Sequence, residues 1–340
     1  MSEHLLEVND LHVSFFTHAG EVKAVNGVSY HLDSGKVLGI VGESGSGKSV
    51  SVNAMMQLLV HPGKVVGGSI IFDGKDVVNM PLKEMRDLRG KDLGMIFQDP
   101  MTSLNPVYTI GNQLIETLKQ HTDMTTEQAR ERSIEMLKLV GINNPEQRMK
   151  QYPHEFSGGM RQRAMIAMTL LCNPKLLIAD EPTTALDVTI QAQILELMKE
   201  LKNKINSAII LITHDLGIIS DICDEVIVMY AGRIVEHGSI DDIFYRTAHP
   251  YTKGLLRCLP RLDTDRSEPL EPIEGTPVDL LALPAGCPFA SRCDKCMKLC
   301  LKEMPPEYTI NEGHVSSCWL HAIEAPKAVE QTEEKEVPSI

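Results

Sequence analysis

The sequence predicts an α/β protein built on a mostly parallel β-sheet that helices cover on both faces. Short apolar runs bounded by turn residues, at Leu38–Val41, Leu176–Ala179 and Ile209–Thr213, are typical of buried parallel strands. Segments with apolar residues at helical spacing, such as Val50–Leu59 and Thr126–Val140, occur between them. Strands that alternate with helices predict one sheet packed between two helical layers.

Residues 1–255 carry this alternation, and we expect them to form one domain. The segment from about 100 to 170 has helical periodicity without an obvious strand, which predicts a helical subdomain inserted into the sheet domain. Residues 256–323 are expected to form a linker rich in proline and acidic residues, followed by a small cysteine-rich module. The charged, proline-containing residues 324–340 are expected to be a disordered tail.

Length, charge and hydropathy argue against several classes of protein. At 340 residues the chain can form one large domain and a smaller appendage. Its formal net charge of −13 argues against a nucleic-acid partner, although a local basic patch can lie within an acidic total. The longest apolar runs are far shorter than a membrane-spanning helix of about 20 residues, and Met1–Asp10 lacks the pattern of a secretory signal. We therefore expect a cytosolic chain that contacts a membrane only through a partner.

A glycine-rich loop follows the first predicted strand. Residues 42–49, Gly-Glu-Ser-Gly-Ser-Gly-Lys-Ser, fit the pattern G-x-x-x-x-G-K-[ST] at every fixed position. The glycines let successive N–H groups point at phosphate oxygens, and the helix that follows adds its positive N-terminal end. Lys48 is suited to bridge the β- and γ-phosphates, and the Ser49 hydroxyl to ligate Mg²⁺. The residues of this loop predicted to bind ATP are Gly42, Ser44, Gly45, Ser46, Gly47, Lys48, Ser49 and Val50.

Two adjacent carboxylates end another predicted strand. Asp180 and Glu181 follow the apolar run Leu176–Ala179, and charged groups at such a position need a partner or a function. Asp180 is predicted to hold Mg²⁺, directly or through water. Glu181 is predicted to orient and polarise an attacking water, so that the reaction is phosphoryl transfer to water.

A second glycine pair lies at the start of a predicted helix. Ser157-Gly158-Gly159, within Phe-Ser-Gly-Gly-Met-Arg-Gln-Arg, offers a hydroxyl, backbone N–H groups and a helix N-terminus, which together form an anion site. This segment resembles the Leu-Ser-Gly-Gly-Gln signature of the ATP-binding-cassette (ABC) family, with Phe for Leu and Met160 for Gln. The resemblance covers about residues 5 to 250 and implies a RecA-like P-loop core with an inserted helical subdomain. It also implies that this signature closes on ATP held by a second subunit.

The resemblance implies roles for further positions. Gln98, in Ile-Phe-Gln-Asp-Pro, is similar to the glutamine that reaches Mg²⁺ and couples to a membrane partner. His214, in Leu-Ile-Thr-His-Asp, is similar to the histidine that senses the γ-phosphate, and with Glu181 it implies a hydrolysis-competent site. Asp187 ends a Thr-Ala-Leu-Asp run similar to a loop that contacts the second subunit. Phe15 is the candidate for stacking on adenine, with Phe16 as the alternative.

The C-terminal part resembles one group within the ABC family. His249–Leu256 and Gly286–Cys293, followed by Cys300, His314 and Cys318, look like the D-type ATPase subunit of oligopeptide and dipeptide importers. This implies a peripheral protein on the cytoplasmic face of the membrane. Its implied partners are a second ATPase subunit, two membrane permeases and, indirectly, an extracytoplasmic peptide-binding protein. The second ATPase is implied to be a paralogue, although self-association stays open, and related nickel importers use similar ATPases.

Five of the eight cysteines lie between residues 287 and 318. In a cytosolic protein such a group indicates a metal rather than disulfides. Spacing alone does not decide which four would bind, because Cys293 and Cys296 also form a C-x-x-C pair. The family resemblance favours Cys287, Cys293, Cys300 and Cys318. Four thiolates suit either Zn²⁺ or a [4Fe–4S] cluster, and the resemblance favours the cluster.

In ABC importers a permease helix docks near the glutamine loop, so Gln98–Asn105, with Met101 and Leu104, is the candidate for this contact. The main alternative function is a soluble ABC ATPase that acts on DNA or ribosomes. Such proteins usually carry two cassettes or a long coiled coil, whereas this chain has one cassette and no heptad run. A P-loop kinase or GTPase outside the ABC family is disfavoured by the signature and by His214.

Overall fold

A computed structural model describes residues 4–99, 103–183, 188–205, 207–259 and 272–324. The strands within these ranges are β1 (Leu6–Thr17), β2 (Gly20–Leu32), β3 (Val37–Val41), β4 (Gly63–Phe72), β5 (Lys75–Asp76), β6 (Leu93–Ile96), β7 (Leu176–Asp180), β8 (Ala208–Thr213), β9 (Glu225–Tyr230), β10 (Arg233–Ser239), β11 (Tyr308–Asn311) and β12 (His314–Ser316). The helices are α1 (Lys48–Met55), α2 (Leu82–Leu88), α3 (Ile110–His121), α4 (Thr126–Leu139), α5 (Pro145–Arg148), α6 (Gly158–Leu170), α7 (Val188–Ile205), α8 (Leu216–Ile222), α9 (Ile240–Tyr245), α10 (Pro250–Arg257) and α11 (His321–Glu324), with 3-10 turns at Pro153–Glu155 and Ala290–Arg292.

The larger sheet has the strand order β11-β12-β10-β9-β3-β8-β7-β6. Strands β9, β3, β8, β7 and β6 are parallel to one another, whereas β10, β12 and β11 continue the sheet in antiparallel pairing. Every residue of β3, β7 and β8 is buried, as expected for parallel strands that are covered on both faces. The predicted strands at residues 38–41, 176–179 and 209–213 are therefore confirmed.

The two faces of this sheet pack against different layers. On β3, Leu38 and Ile40 contribute to a core shared with the smaller antiparallel sheet β2-β1-β4-β5 and with α1. The intervening side chains, Val37 and Val41, contribute to the core formed with α3, α4, α6 and α8. This two-residue alternation follows from strand geometry. The prediction of helices on both faces is thus incomplete, because an antiparallel sheet covers part of one face.

Helix α1 is shorter than the predicted Val50–Leu59. It ends at Met55, and Gln57 has a left-handed backbone with φ 49°. The Gln57 amide donates hydrogen bonds to the carbonyl oxygens of Val77 (2.7 Å) and Met80 (2.9 Å). These contacts to a distant segment terminate the helix, and nothing in local spacing predicts them.

The predicted helical segment is present, since the described residues 103–170 contain helices and no strand. Helix α4 begins with a capping box, in which the Thr125 side chain accepts from the Gln128 N–H and the Gln128 side chain accepts from the Thr125 N–H. Leu104 is 3% exposed and belongs to the core. The interpretation of Leu104 as a surface contact for a permease is therefore wrong, because its side chain is needed for packing inside this segment.

The C-terminal residues 272–324 pack against the sheet domain. Strand β12 pairs with β10, with Glu236 opposite Ser316, and β11 pairs with β12. Phe289 is 3% exposed and contacts the rings of Tyr230 and Tyr251, each with its centroid 5.3 Å away. The region that holds the clustered cysteines is thus joined to the main sheet by strand pairing and by an aromatic cluster.

Three sequence predictions concern residues outside the described ranges. They are the permease contact at Met101, the dimer-loop role of Asp187, and the tail predicted over residues 324–340, of which the structure describes only Glu324. None of the helices in the described part of the chain has both the length and the apolar character needed to cross a membrane.

Candidate nucleotide-binding site

The candidate site lies at the carboxyl edge of four neighbouring parallel strands, β3, β8, β7 and β6. Strands β3, β8 and β7 are followed directly by Gly42, His214 and Glu181, and β6 is followed after one residue by Gln98. Because adjacent parallel strands end at the same edge, these residues of distant sequence position come together.

The loop between β3 and α1 requires glycine for two separate reasons. Gly42 and Gly47 have φ angles of +151° and +100°, which favour glycine. A Cβ atom at Gly42 would lie 2.2 Å from the Met229 carbonyl oxygen, and one at Gly47 would lie 2.4 Å from the Ala24 carbonyl oxygen. The loop therefore depends on glycine both for its conformation and for its close approach to neighbouring backbone.

Lys48 lies under this loop and is 5% exposed. Its ammonium donates hydrogen bonds to the carbonyl oxygens of Gly42 (2.7 Å) and Glu43 (3.0 Å). Burial lowers the pKa of Lys48, and the nearby carboxylates of Glu181 and Asp180 oppose that shift. This lysine is thus a buried cation that is partly solvated by the loop itself.

Ser49 and Asp180 lie next to each other. The Ser49 hydroxyl donates to Asp180 Oδ1 at 2.8 Å, and burial raises the pKa of Asp180. A hydroxyl and a carboxylate oxygen beside a phosphate-binding loop are the hard oxygen ligands that Mg²⁺ prefers. These two residues therefore fit the predicted Mg²⁺ site by their chemistry and their placement.

Glu181 is the point at which Gln98 and His214 meet. Its Oε2 accepts a hydrogen bond from the Gln98 side chain at 3.0 Å, and its Oε1 lies 3.6 Å from His214 Nδ1. The backbone of Glu181 has φ 47°, a strained conformation for a residue with a side chain. Its N–H donates to the Ile212 carbonyl oxygen at 2.9 Å, which fixes this turn against β8. The three residues predicted to be catalytic therefore form one cluster.

These groups enclose a cavity of about 340 Å³, here called the nucleotide cavity. The residues that line it are Ser44, Gly45, Ser46, Gly47, Lys48, Ser49, Val50, Gln98, Glu181 and His214. Gly42 and Asp180 do not line the cavity but bind two residues that do. The Gly42 carbonyl oxygen accepts from Lys48, and the Asp180 carboxylate accepts from Ser49.

Phe15 is not among the lining residues; it lies on β1, with its ring against Gly63. Its stacking on adenine stays a prediction, and Phe16 is 49% exposed.

The signature residues lie at a different surface. Ser157 is the N-cap of α6, and its hydroxyl accepts from the Met160 N–H at 3.3 Å. Ser157 and Gly158 are exposed, and Gly159 is packed so closely that an added Cβ would lie 3.0 Å from the Ile190 side chain. None of the three lines the nucleotide cavity of the same chain. This separation is what a site completed by a second subunit requires.

The four cysteines favoured by the sequence line one small cavity. Cys287, Cys293, Cys300 and Cys318 face it together, whereas Cys296 does not line it and is exposed. Burial, with a smaller contribution from neighbouring thiols, raises the pKa of both Cys287 and Cys293 to about 11. Among the described residues no group of three or more Cys, His, Asp or Glu side chains has the arrangement of a metal-ion site. The convergence of the four thiols is therefore observed, while their role as metal ligands stays a prediction.

One feature of the site was missed by the sequence analysis. Glu43, at a variable position of the phosphate loop, forms an ion pair with Arg292, with 2.5 Å between Arg292 Nη1 and Glu43 Oε2. The Glu43 N–H also donates to the Tyr251 hydroxyl at 2.9 Å. Arg292 adjoins Cys293, but no sequence spacing indicates a contact across 249 positions.

The fold and the site agree with comparisons to known proteins. Residues 25–184 match the ABC transporter family, and residues 235–300 match the oligopeptide/dipeptide transporter C-terminal region. The chain is 56% identical over 324 residues to the oligopeptide transport ATP-binding protein OppD of Bacillus subtilis, covering 95% of this chain and 90% of that protein. It is 54% identical over 328 residues to the dipeptide transport ATP-binding protein DppD of the same organism, covering 96% and 98%.

Solved structures give the same result for the sheet domain. A dimeric post-hydrolysis structure of the ATP-binding cassette MJ0796, bound to ADP and Pi, has a TM-score of 0.62 and 25% identity, covering 69% of this chain and 98% of that one. The structure of cbiO1 from Clostridium perfringens, part of the ABC transporter complex cbiONQ, has a TM-score of 0.61 and 28% identity, covering 72% and 93%.

A phosphate loop, an acid pair, a glutamine and a histidine at one edge of a parallel sheet define an ABC-type ATPase. Within that class, the chain belongs to the family of oligopeptide and dipeptide transport ATP-binding proteins, as its two family matches and its 53–56% identity to members of that family show.

Substitution of Glu181 by Gln should separate nucleotide binding from turnover. It removes the carboxylate that is predicted to polarise water but keeps a similar shape, so kcat for ATP hydrolysis should fall by about 10²- to 10⁴-fold. The affinity for Mg·ATP should stay within a few-fold, because Lys48, Ser49 and Asp180 are unchanged. Phosphate release and fluorescent-nucleotide binding measure the two quantities. The exposed Glu196 of α7 gives the matched control, Glu196→Gln; unchanged turnover in Glu181→Gln would contradict this role.

Proposed function

We propose that this chain is the ATP-hydrolysing subunit that powers import of dipeptides or oligopeptides through membrane permeases. The observation that carries the proposal is the meeting of Lys48, Ser49, Glu181, Gln98 and His214 around one cavity. The relatives that share this chain over almost its whole length are named as oligopeptide and dipeptide transport ATP-binding proteins. A nickel importer is the alternative for the solute.

The cavity residues divide the chemistry among them. Loop N–H groups and Lys48 would hold the phosphates, and Ser49 with Asp180 would hold Mg²⁺, with Gln98 as a further ligand. When bound, Mg²⁺ would neutralise charge on the β- and γ-phosphates. Glu181 would orient and polarise the attacking water, and His214, beside Glu181, would contact the γ-phosphate.

The exposed signature supports a site shared between two cassettes. Ser157 and Gly158 start a helix of 13 residues, whose N-terminus attracts anions, yet they lie outside the nucleotide cavity of their own chain. A second ATPase subunit, either a paralogue or an identical copy, would bring its own signature to this cavity. The similar cassette MJ0796 is described as a dimer.

The surface near Gln98 supports contact with a permease. Phe97, Val107, Tyr108 and Tyr152 are 42%, 71%, 52% and 40% exposed. Tyr108 and Tyr152 lie at the same end of α3, because the Ile110 N–H donates to the Gln151 carbonyl oxygen. Phe97 adjoins Gln98 in the sequence, and exposed apolar side chains of this kind suit a short apolar helix of a membrane protein. The chain would then act at the cytoplasmic face of the membrane, with a peptide-binding protein on the other side.

The cysteine cavity supports a thiolate-bound group. Cys287, Cys293, Cys300 and Cys318 fit a four-thiolate donor set in an apolar enclosure, where thiolates need a cationic partner. The family resemblance favours a [4Fe–4S] cluster, with Zn²⁺ as the alternative, since four thiolates suit either group. Such a group would fix the fold of a segment with few helices or strands of its own.

Peptide uptake tests the proposed function directly. In cells that lack this chain, its expression should restore ATP-dependent uptake of a labelled oligopeptide, and a Lys48→Ala variant should not. Labelled nickel should not accumulate under the same conditions. Uptake of nickel without peptide would move the function to the alternative importer class, and restored peptide uptake with Lys48→Ala would contradict ATP as the energy source.

Charge substitutions test the permease surface. Val107→Glu together with Tyr108→Glu should lower peptide uptake about tenfold or more, since interface anchors commonly contribute over 1 kcal/mol. ATP hydrolysis by the isolated chain should not change. The exposed Val60, which lies after α1, gives the control Val60→Glu. Equal uptake in the double variant and the control would place the permease contact elsewhere.

Metal analysis tests the cysteine cavity. Chain purified without oxygen should be brown and carry about four irons with equivalent sulfide. Serine at Cys287, Cys293, Cys300 or Cys318 should lower the iron content, whereas Cys296→Ser should not. One equivalent of zinc with no colour would identify the alternative metal, and loss of iron on Cys296→Ser would change the ligand set.

A further inference from the structure

Glu43 occupies a variable position of the phosphate loop, yet each of its polar groups has a partner. Its N–H donates to the Tyr251 hydroxyl at 2.9 Å. Its carbonyl oxygen accepts from Lys48 Nζ at 3.0 Å, and its carboxylate accepts from Arg292. A side chain that only filled space at the surface would not need this set of contacts, which extends from the loop into the C-terminal region.

Arg292, like the glutamate that it binds, makes several hydrogen bonds. Its Nη1 and Nη2 donate to Glu43 Oε2 (2.5 Å) and Oε1 (2.9 Å), which is the fork geometry specific to arginine. Its Nε donates to the Glu274 carbonyl oxygen at 3.1 Å, and its Nη2 also donates to the Ile273 carbonyl oxygen at 3.2 Å. The Arg292 side chain is 3% exposed, and its guanidinium lies over the Tyr230 ring. The hydrogen bond to Glu43 raises the pKa of Arg292, so the group stays charged.

These contacts form a continuous chain from the C-terminal region to the phosphate-binding lysine. Arg292 holds the carboxylate of Glu43, and the carbonyl group of the same residue holds Lys48. A change in the position of Glu43 would therefore change the orientation of a peptide unit in the loop and the position of Lys48. The nucleotide cavity depends on both.

Charge gives a second reason why the pair matters. The carboxylate of Glu43 is one of the negative groups near Lys48 that act on its pKa. If Arg292 were absent, this carboxylate would compete with the nucleotide phosphates for Lys48 and repel them. Arg292 neutralises the Glu43 carboxylate in a bidentate pair, which weakens the attraction of this carboxylate to Lys48 and its repulsion of the phosphates.

We infer that Arg292 is a positioning residue of the ATPase site, which holds Glu43 and through it the phosphate loop and Lys48 in the geometry that binds nucleotide. The residue belongs to the cysteine-bearing C-terminal region and is not among the residues that line the nucleotide cavity. This inference rests on the proposed function, since it takes ATP to be the ligand of that cavity.

A purely structural ion pair would give a different result from a positioning pair. A structural pair would lower the melting temperature when broken, with kinetic constants unchanged below that temperature. A positioning pair would raise KM for ATP more than it lowers kcat, because loop geometry and repulsion act on phosphate binding. Neutralising both partners would then remove the repulsion but not the loss of positioning, so KM would recover only in part.

The experiment measures KM and kcat for ATP, and the affinity for a fluorescent ATP analogue, in the full chain. Arg292→Gln should raise KM about tenfold or more, and Arg292→Lys should lie between it and the wild type, since lysine lacks the fork. The double variant Glu43→Gln/Arg292→Gln should have a KM between those of Arg292→Gln and the wild type, because the repulsive carboxylate is gone but the position of residue 43 is no longer held. Arg246→Gln, which removes an arginine paired with Asp242 at 2.9 Å, is the control and should have no effect.

Wild-type KM in both Arg292→Gln and Arg292→Lys, measured below their melting temperatures, would overturn the inference. A double variant with the KM of the wild type would also overturn it, because repulsion by the Glu43 carboxylate alone would then explain the effect of Arg292→Gln. If Arg292→Gln does not fold, Arg292→Lys and the double variant decide the question. Failure of the proposed function is distinguishable, since the wild-type chain would then bind the ATP analogue no better than Lys48→Ala.

Discussion

The register of the parallel strands is the constraint on which the site depends. Val41 of β3 pairs with Thr213 of β8, Asp180 of β7 pairs with Ile212 of β8, and Ile96 of β6 pairs with Ala179 of β7. The four strands thus end at nearly the same level. The residues that follow them therefore lie close together at one edge of the sheet. A shift of one strand by one residue would also turn its buried side chains to the opposite core. Packing on both faces therefore fixes the positions of the catalytic groups.

The cost of this arrangement is seen in the charged groups at the strand ends. Lys48 and Asp180 are 5% and 8% exposed. Burial lowers the pKa of Lys48 and raises the pKa of Asp180, which favours the neutral form of each group. Glu181 has a left-handed backbone as well. Buried charges and strained backbone are typical of functional sites. A triphosphate with Mg²⁺ carries negative charge that can pair with Lys48 and positive charge that can pair with Asp180.

Local sequence was sufficient to predict three buried strands, at residues 38–41, 176–179 and 209–213, and the phosphate loop, because each depends on a short pattern. The roles of Gln98 and His214 beside Glu181 were implied by the resemblance to the ABC family. The antiparallel sheet on one face, the early end of α1 at Gln57 and the buried position of Leu104 were not predicted. They depend on contacts between distant segments, which periodicity does not encode. The ion pair of Glu43 and Arg292 is of the same kind, since neither residue belongs to a fixed position of its motif.

The pairing of β12 with β10 has a consequence for folding in the cell. Without the last hairpin, β10 would be the outer strand of the large sheet, with unpaired N–H and C=O groups along one side. Such edges recruit strands from other chains. Because residues 308–316 follow the other strands of this sheet in the sequence, the ribosome makes this cover after the strand that it protects. The nascent protein therefore passes through a stage at which β10 has been made but its outer edge is not yet paired with β12.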